Sequence, residues 1–323
     1  MKQKLKRYLA GMLAVITALS TLFTNGTIVF ATSSEANISM WRASPNATGE
    51  IAELKAGYSH GRMYYHMIDG NPSYCLNYTL HSSNGQLMKS DDEPQTVMTS
   101  EQRKLLHYCL YYGHQNNVVA QPSETQCDEY SATQAMVWCI VKGLFGSGSD
   151  DAAAKTICNA GYNPEYAYSY YLTLKENITN AYYANVPSFS SKTKSGAATY
   201  ELEWNENNKR FETTLTDSNG VLGNYDFSID GFSVEKSGNK LTIYSKEVNT
   251  VATTGTFDNK NNAVEITGNS VFWLTGNEGD QEMISEKPTA DPITAYIRVK
   301  TENIGYGDIV KEDEASAVKL KSS

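Results

Sequence analysis

The residue with the most demanding chemistry is Gln134. It lies in Glu129-Tyr-Ser-Ala-Thr-Gln-Ala-Met-Val-Trp-Cys-Ile-Val-Lys142, where Ala132, Ala135, Met136, Val137, Trp138, Ile140 and Val141 are apolar. At helical spacing its facial neighbours are Val137, Trp138 and Val141. A carboxamide has four hydrogen-bonding positions to fill, and leaving it unpaired in such surroundings costs about 1–3 kcal/mol. Taken alone, the helix reads as holding a buried Gln satisfied by neighbouring backbone. The second reactive type is cysteine. The chain has five, Cys75, Cys109, Cys127, Cys139 and Cys158. The number is odd, so at least one is left over from intramolecular pairing. No Cys-x-x-Cys occurs, which leaves zinc or thioredoxin-type chemistry without support. His60, His66, His81, His107 and His114 are candidate bases for a Cys75 nucleophile, the basis of a cysteine-hydrolase reading. No local signature selects one of them.

The elements that must position these groups can be read in outline. Asp128 is the expected N-cap of a helix over 129–142, with acidic Glu129 in its first turn, where the helix dipole favours negative charge. The apolar stripe is too broad for a surface helix, so burial is expected, and Gly143 is the stop signal. Cys75 follows the turn signals of Asp69-Gly-Asn-Pro72, with Tyr74-Cys75-Leu76 opening an extended run. Met63, Tyr65 and Met67 alternate with Arg62, Tyr64 and His66, which predicts a half-buried strand in a strand-rich region over 37–80. Thr99 and Gln102 form a capping box for a helix with Leu105, Leu106, Cys109 and Tyr112 on one face, ending at Gly113. Helices follow at about 151–159 and at 164–183, the second introduced by Asn163-Pro164. From Thr199 the pattern turns to β: Phe211–Thr216, Tyr225–Ile229, Leu241–Tyr244, Val264–Thr267, Val271–Leu274 and a closing strand Thr294–Lys300. The spacing suits a sandwich or barrel. The expected class is α+β, with a helical insert of about 99–183 between β-rich parts at 37–80 and 199–304.

Composition narrows the setting. A hydrophobic content of 40% with 20% charged residues predicts a folded chain. The net charge of -9, with no basic patch, argues against nucleic acid as a partner. The 22 tyrosines against 9 phenylalanines suit both strands and an exported binding surface. Residues 1–31 read as a secretory signal: Lys2, Lys4, Lys6 and Arg7, then apolar Leu9–Phe23, then small residues at Val29-Phe30-Ala31. No later stretch is apolar enough to cross a membrane, so no membrane insertion is expected after signal cleavage.

Tyr74-Cys75 together with Thr133-Gln134-Ala-Met-Val-Trp138 resembles the thioester domains of Gram-positive surface adhesins. Their first motif is an aromatic or Leu before Cys, matched by Tyr74-Cys75. Their second is Thr-Gln, any residue, a small residue, a β-branched residue and Trp, matched by Thr133, Gln134, Val137 and Trp138, with Met136 departing at the small position. A third is a Gln followed three residues later by a hydrophobe, matched by Gln281 and Ile284, with Asp280 departing before it. The resemblance spans roughly 35–304. It implies an internal thioester between Cys75 and Gln134, with Tyr74, Thr133, Trp138 and Gln281 shaping and drying the pocket. It implies a β subdomain and a helical subdomain, with the thioester near their interface. It implies no cofactor. The implied role is a single-turnover covalent adhesin rather than an enzyme, attacked by a lysine of a host surface or matrix protein such as fibrinogen, with small amines as surrogates. The implied location is the cell surface. Residues 305–323 resemble a linker or the opening of a Cna-B-type stalk domain, so wall anchoring through a longer C-terminal part is expected. A non-covalent adhesin or carbohydrate-binding module is the rival binding reading.

Overall fold

The structure is a computed structural model and describes residues 35–54, 61–115, 121–275 and 280–302. The expected signal segment and the 305–323 tail lie outside the described residues, as does His60. The chain opens with strands β1 (Glu35–Asn37), β2 (Ser39–Arg42), β3 (Tyr64–Ile68), β4 (Asn71–Cys75) and β5 (Leu87–Asp91). Four helices follow among the described residues: α1 (Ser100–Tyr112), α2 (Glu124–Val141), α3 (Ser149–Cys158) and α4 (Pro164–Tyr182). The remainder is β: β6 (Thr199–Asn205), β7 (Arg210–Thr216), β8 (Tyr225–Ser228), β9 (Ser233–Ser237), β10 (Lys240–Ser245) and β11 (Thr253–Asn259). It closes with β12 (Val264–Ile266), β13 (Val271–Leu274), β14 (Met283–Ser285), β15 (Ala290–Pro292) and β16 (Thr294–Thr301). The class is α+β and β-rich.

The first sheet has the order β1-β5-β13-β14-β4-β3-β2. Its centre is therefore assembled from both ends of the chain. β14 inserts beside β4 and places Met283 opposite Cys75 and Ile284 opposite Tyr74. The second sheet has the order β8-β11-β16-β6-β7-β10-β9, with β16 running parallel to β6 and the other pairs antiparallel. β12 and β15 form a separate ribbon. The β13–β14 hairpin departs from a simple division at residue 199. It belongs to the first sheet, because the apolar Phe272, Trp273, Met283 and Ile284 complete that sheet's buried face.

The helices pack around α2, whose side chains from Cys127 to Ile140 are buried with one exception, Glu129. Its start differs from expectation. The helix begins one turn earlier, at Glu124, with Ser123 as N-cap in a capping box with Gln126. Asp128 is instead an interior residue of α2. It is buried and accepts hydrogen bonds from the backbone N–H groups of Tyr162 (2.8 Å) and Asn163 (2.8 Å). A buried carboxylate is tolerated there because two amides at the head of α4 satisfy it. Thr99 and Gln102 form the expected capping box on α1, and Asn163 caps α4 with Pro164 in its first turn. Gly113 ends α1 with φ −74, so its role is steric. A Cβ there would meet Thr133 Cγ2 at 2.5 Å and the Cys109 carbonyl oxygen at 2.6 Å.

Candidate functional site

Cys75 ends β4, and Gln134 sits midway along α2, which crosses behind that strand. The two residues meet by pairing Cys75 backbone with the Gln134 side chain. The Cys75 N–H donates to Gln134 Oε1 at 2.8 Å, and Gln134 Nε2 donates to the Cys75 carbonyl at 2.9 Å. Gln134 is 1% exposed and Cys75 6%. The helix interior thus holds its carboxamide without loss of hydrogen bonding, by borrowing one residue of a strand end.

The sheet supplies the surroundings. His66, on β3, is the neighbour of the sulfur, with Nδ1 at 3.9 Å from Cys75 Sγ. The same Nδ1 lies 3.0 Å from the Tyr130 hydroxyl, and Nε2 lies 3.1 Å from Ser82 Oγ. Alternation along β3 puts His66 on the face opposite Tyr65 and Met67. The structure buries it at 6% exposure, because β3 is an interior strand with α2 across it. Sequence periodicity carried no signal for this residue's placement at the sulfur.

Burial also sets the protonation states. It pushes the Cys75 thiol up to about 12 and lowers the His66 imidazole to about 3, since each charged form loses its hydration. At neutral pH the pair is thiol and neutral imidazole. A cysteine hydrolase of the thiolate–imidazolium type needs the opposite shifts.

Cys75 and Gln134 open onto a cleft of about 800 Å³, the wall of which also includes His66, Ser82, Trp138 and Gln281. No carboxylate is among its described lining residues, and Arg62 brings a positive charge to its rim. Trp138 stands one turn beyond Gln134, with its ring edge-on to Tyr78 at 4.7 Å. Its indole N–H is buried without a partner among the described residues. Gln281 holds the loop after Cys75. Its Oε1 accepts from Asn77 N at 3.2 Å, and its Nε2 donates to the carbonyls of Asn77 and Leu80, both at 2.8 Å. Its neighbour Glu282 accepts from the N–H groups of Gln95 and Thr96, both at 2.7 Å.

Tyr74 and Thr133 lie behind the cleft rather than in its wall. Tyr74 stacks on Tyr130 at 4.8 Å and donates its hydroxyl proton to the His114 carbonyl. Thr133 Oγ1 accepts from His114 N–H at 3.0 Å and donates to the Glu129 carbonyl at 2.9 Å. Each flanks a reactive-pair residue in sequence, and period alone cannot say which neighbour of a buried residue shares its cavity. His114 has Nδ1 2.8 Å from Glu129 and Nε2 2.8 Å from the Tyr65 hydroxyl. Burial lowers its affinity for a proton against the opposing pull of Glu129, so the group is a neutral, carboxylate-oriented imidazole. The other four cysteines are buried and unpaired, and the S–H groups of Cys109, Cys127 and Cys139 face the backbone carbonyls of Thr133, Arg42 and Asp150.

The strand-end Cys75 and the helix residue Gln134 are thus in direct contact, backbone to side chain, and the family comparison covers both. The chain is similar to the thioester-domain family over residues 72–181. That thioester-domain match is roughly a third of the chain and contains both Cys75 and Gln134. Among solved structures, the thioester domain of the Staphylococcus aureus TIE protein superposes with a TM-score of 0.44 at 13% identity, covering 83% of this chain and 99% of that one. None of the curated proteins matches the chain. Among the described residues, no helix is long and apolar enough to cross a membrane.

Proposed function

We propose that Cys75 and Gln134 condense to an internal thioester, and that the chain is the covalent-binding domain of a bacterial surface adhesin. The observation that carries this reading is the two-point grip of the Cys75 backbone on the Gln134 carboxamide inside an accessible cleft. In the condensation, Sγ bonds to Gln134 Cδ, the Cδ–Nε2 bond breaks, and the thiol proton leaves with the nitrogen as ammonia. The Cys75 N–H already points at Oε1, where negative charge builds in the tetrahedral intermediate. Condensation also removes the Nε2 donors, leaving only a carbonyl to satisfy.

The product stores reactivity. A thiol is a far better leaving group than an amine, so an amine takes the acyl group and forms a stable amide. The nucleophile is proposed to be a lysine of a host surface or matrix protein, with fibrinogen as one candidate and small amines as surrogates. Only about one lysine in a thousand is neutral near pH 7.4. With no carboxylate among its described lining residues, the cleft gives no support to the ammonium form, so the amine enters as the free base after shedding water. Each molecule reacts once, which makes it a reactive binder rather than an enzyme. The location is proposed to be the bacterial surface, after export.

Intact-mass measurement of the secreted protein tests this. The protein is expected to be lighter by one ammonia, to gain one methylamine at Gln134, and to lose both properties in Cys75→Ala. A full-mass protein that binds a host partner reversibly, unaffected by Cys75→Ala, favours the non-covalent adhesin instead.

A further inference from the structure

The Cys75–His66–Ser82 arrangement carries more than the thioester itself. The Tyr130 hydroxyl has one proton, and it donates that proton to the Ser73 carbonyl at 2.6 Å. Its contact with His66 Nδ1, at 3.0 Å, must therefore be an N–H donated by the imidazole. Nδ1 of the neutral ring carries the hydrogen, and Nε2 is bare. Ser82 Oγ, 3.1 Å from Nε2, donates its hydroxyl proton there. Ser82 is half-buried and lines the cleft, so one end of the imidazole faces the sulfur and the other connects to the space an amine occupies.

Given the thioester reading, on which this rests, we infer that His66 and Ser82 form a neutral proton relay for aminolysis, with His66 the acid–base residue at the leaving sulfur. As the amine nitrogen bonds to Gln134 Cδ, its proton passes to Ser82 Oγ. The serine's own proton passes to His66 Nε2. The Nδ1 proton, which rests on the Tyr130 hydroxyl at 3.0 Å with Cys75 Sγ 3.9 Å away, shifts from that oxygen to the sulfur as the Cδ–S bond breaks. The products are an amide, a neutral thiol and the other imidazole tautomer; every proton is accounted for and no imidazolium forms. The relay relieves both difficulties of the step, since the attacking nitrogen becomes positive and the departing sulfur negative in a site that disfavours either charge. The Cys75 N–H holds Oε1 throughout.

The test compares methylamine uptake in the wild type, His66→Gln and Ser82→Ala, each first weighed for the lost ammonia and checked for a cooperative thermal transition. Removal of general acid–base help is expected to slow uptake about a hundredfold in both variants. Added imidazole is expected to restore part of the rate to His66→Ala, which a merely structural role would not allow. If His66→Gln fails to close the thioester, Ser82→Ala, which keeps the imidazole, decides the matter. Variants that retain the thioester and react at the wild-type rate overturn the relay while leaving the thioester intact. A wild type that neither lacks ammonia nor takes up methylamine overturns the thioester and the relay together.

Discussion

Gln134 sets the terms at the residue scale. Its side chain is 1% exposed, and its amide is satisfied only because Cys75 offers both a backbone donor and a backbone acceptor. Gln134→Leu, which fills similar volume, is therefore expected to fold but leave the Cys75 N–H without its Oε1 acceptor, costing about 1–3 kcal/mol in denaturant unfolding. It is also expected to abolish methylamine uptake. The cysteines give a separate outcome. Cys75 borders the cleft, whereas Cys109, Cys139 and Cys158 are 0% exposed and Cys127 is 2%. Native protein treated with methylamine should release one titratable thiol, at Cys75, while the other four react with alkylating reagent only after denaturation. Peptide mapping that finds label at another cysteine in the native protein would contradict this.

Among the elements, a few close fits hold the end of α1 against α2 and fix the loop after β4. Gly113 and Thr133 form one. Gly113→Ala places a methyl group 2.5 Å from Thr133 Cγ2 and 2.6 Å from a backbone oxygen. The end of α1 cannot yield easily, because Thr133 also fixes His114 N–H. Overpacking of this kind costs about 1–3 kcal/mol, and a lower thermal midpoint is expected. Gln281 and Glu282, immediately before β14, form another. Gln281→Ala removes three hydrogen bonds to the loop after Cys75. Faster spontaneous hydrolysis of the thioester is expected, read as the mass rising by one water from the closed form, because that loop helps exclude solvent from the cleft.

For the molecule as a whole, three buried imidazoles couple stability to pH. Burial lowers the proton affinity of His66, His107 and His114 in the folded state, to about 3 for His66. The unfolded chain binds these protons near the ordinary value of about 6.5, so the unfolded state gains more protons as pH falls below it. Stability is thus fully present above pH about 6.5 and is lost as pH falls. Each such group contributes a slope of up to about 1.4 kcal/mol per pH unit between its two values. Denaturant midpoints should fall between pH 6.5 and 4, and His66→Gln should flatten part of that slope. An unchanged slope would mean that His66 titrates alike in both states.

Much of this was readable without coordinates. The α1 capping box, the Asn163-Pro164 helix start and the buried character of α2 follow from local rules, because capping and apolar spacing act within a few residues. So does the oddity of Gln134, since a polar group in an apolar stripe is a debt visible in one dimension. Ser123 rather than Asp128 as the α2 cap was missed because both are good caps, and only the docking of α4 gives Asp128 two amides to bind. His66 stood among five candidate histidines with nothing to select it, because alternation fixes the face of β3 it shares with Tyr64 but not that this face meets the Cys75 sulfur. What the sequence determined by itself is the identity of the reactive types and the elements that carry them. What only the tertiary structure decided is which groups surround the sulfur, because β14 and α2 reach Cys75 from remote parts of the chain, and proximity across such distances is set by packing, not by spacing.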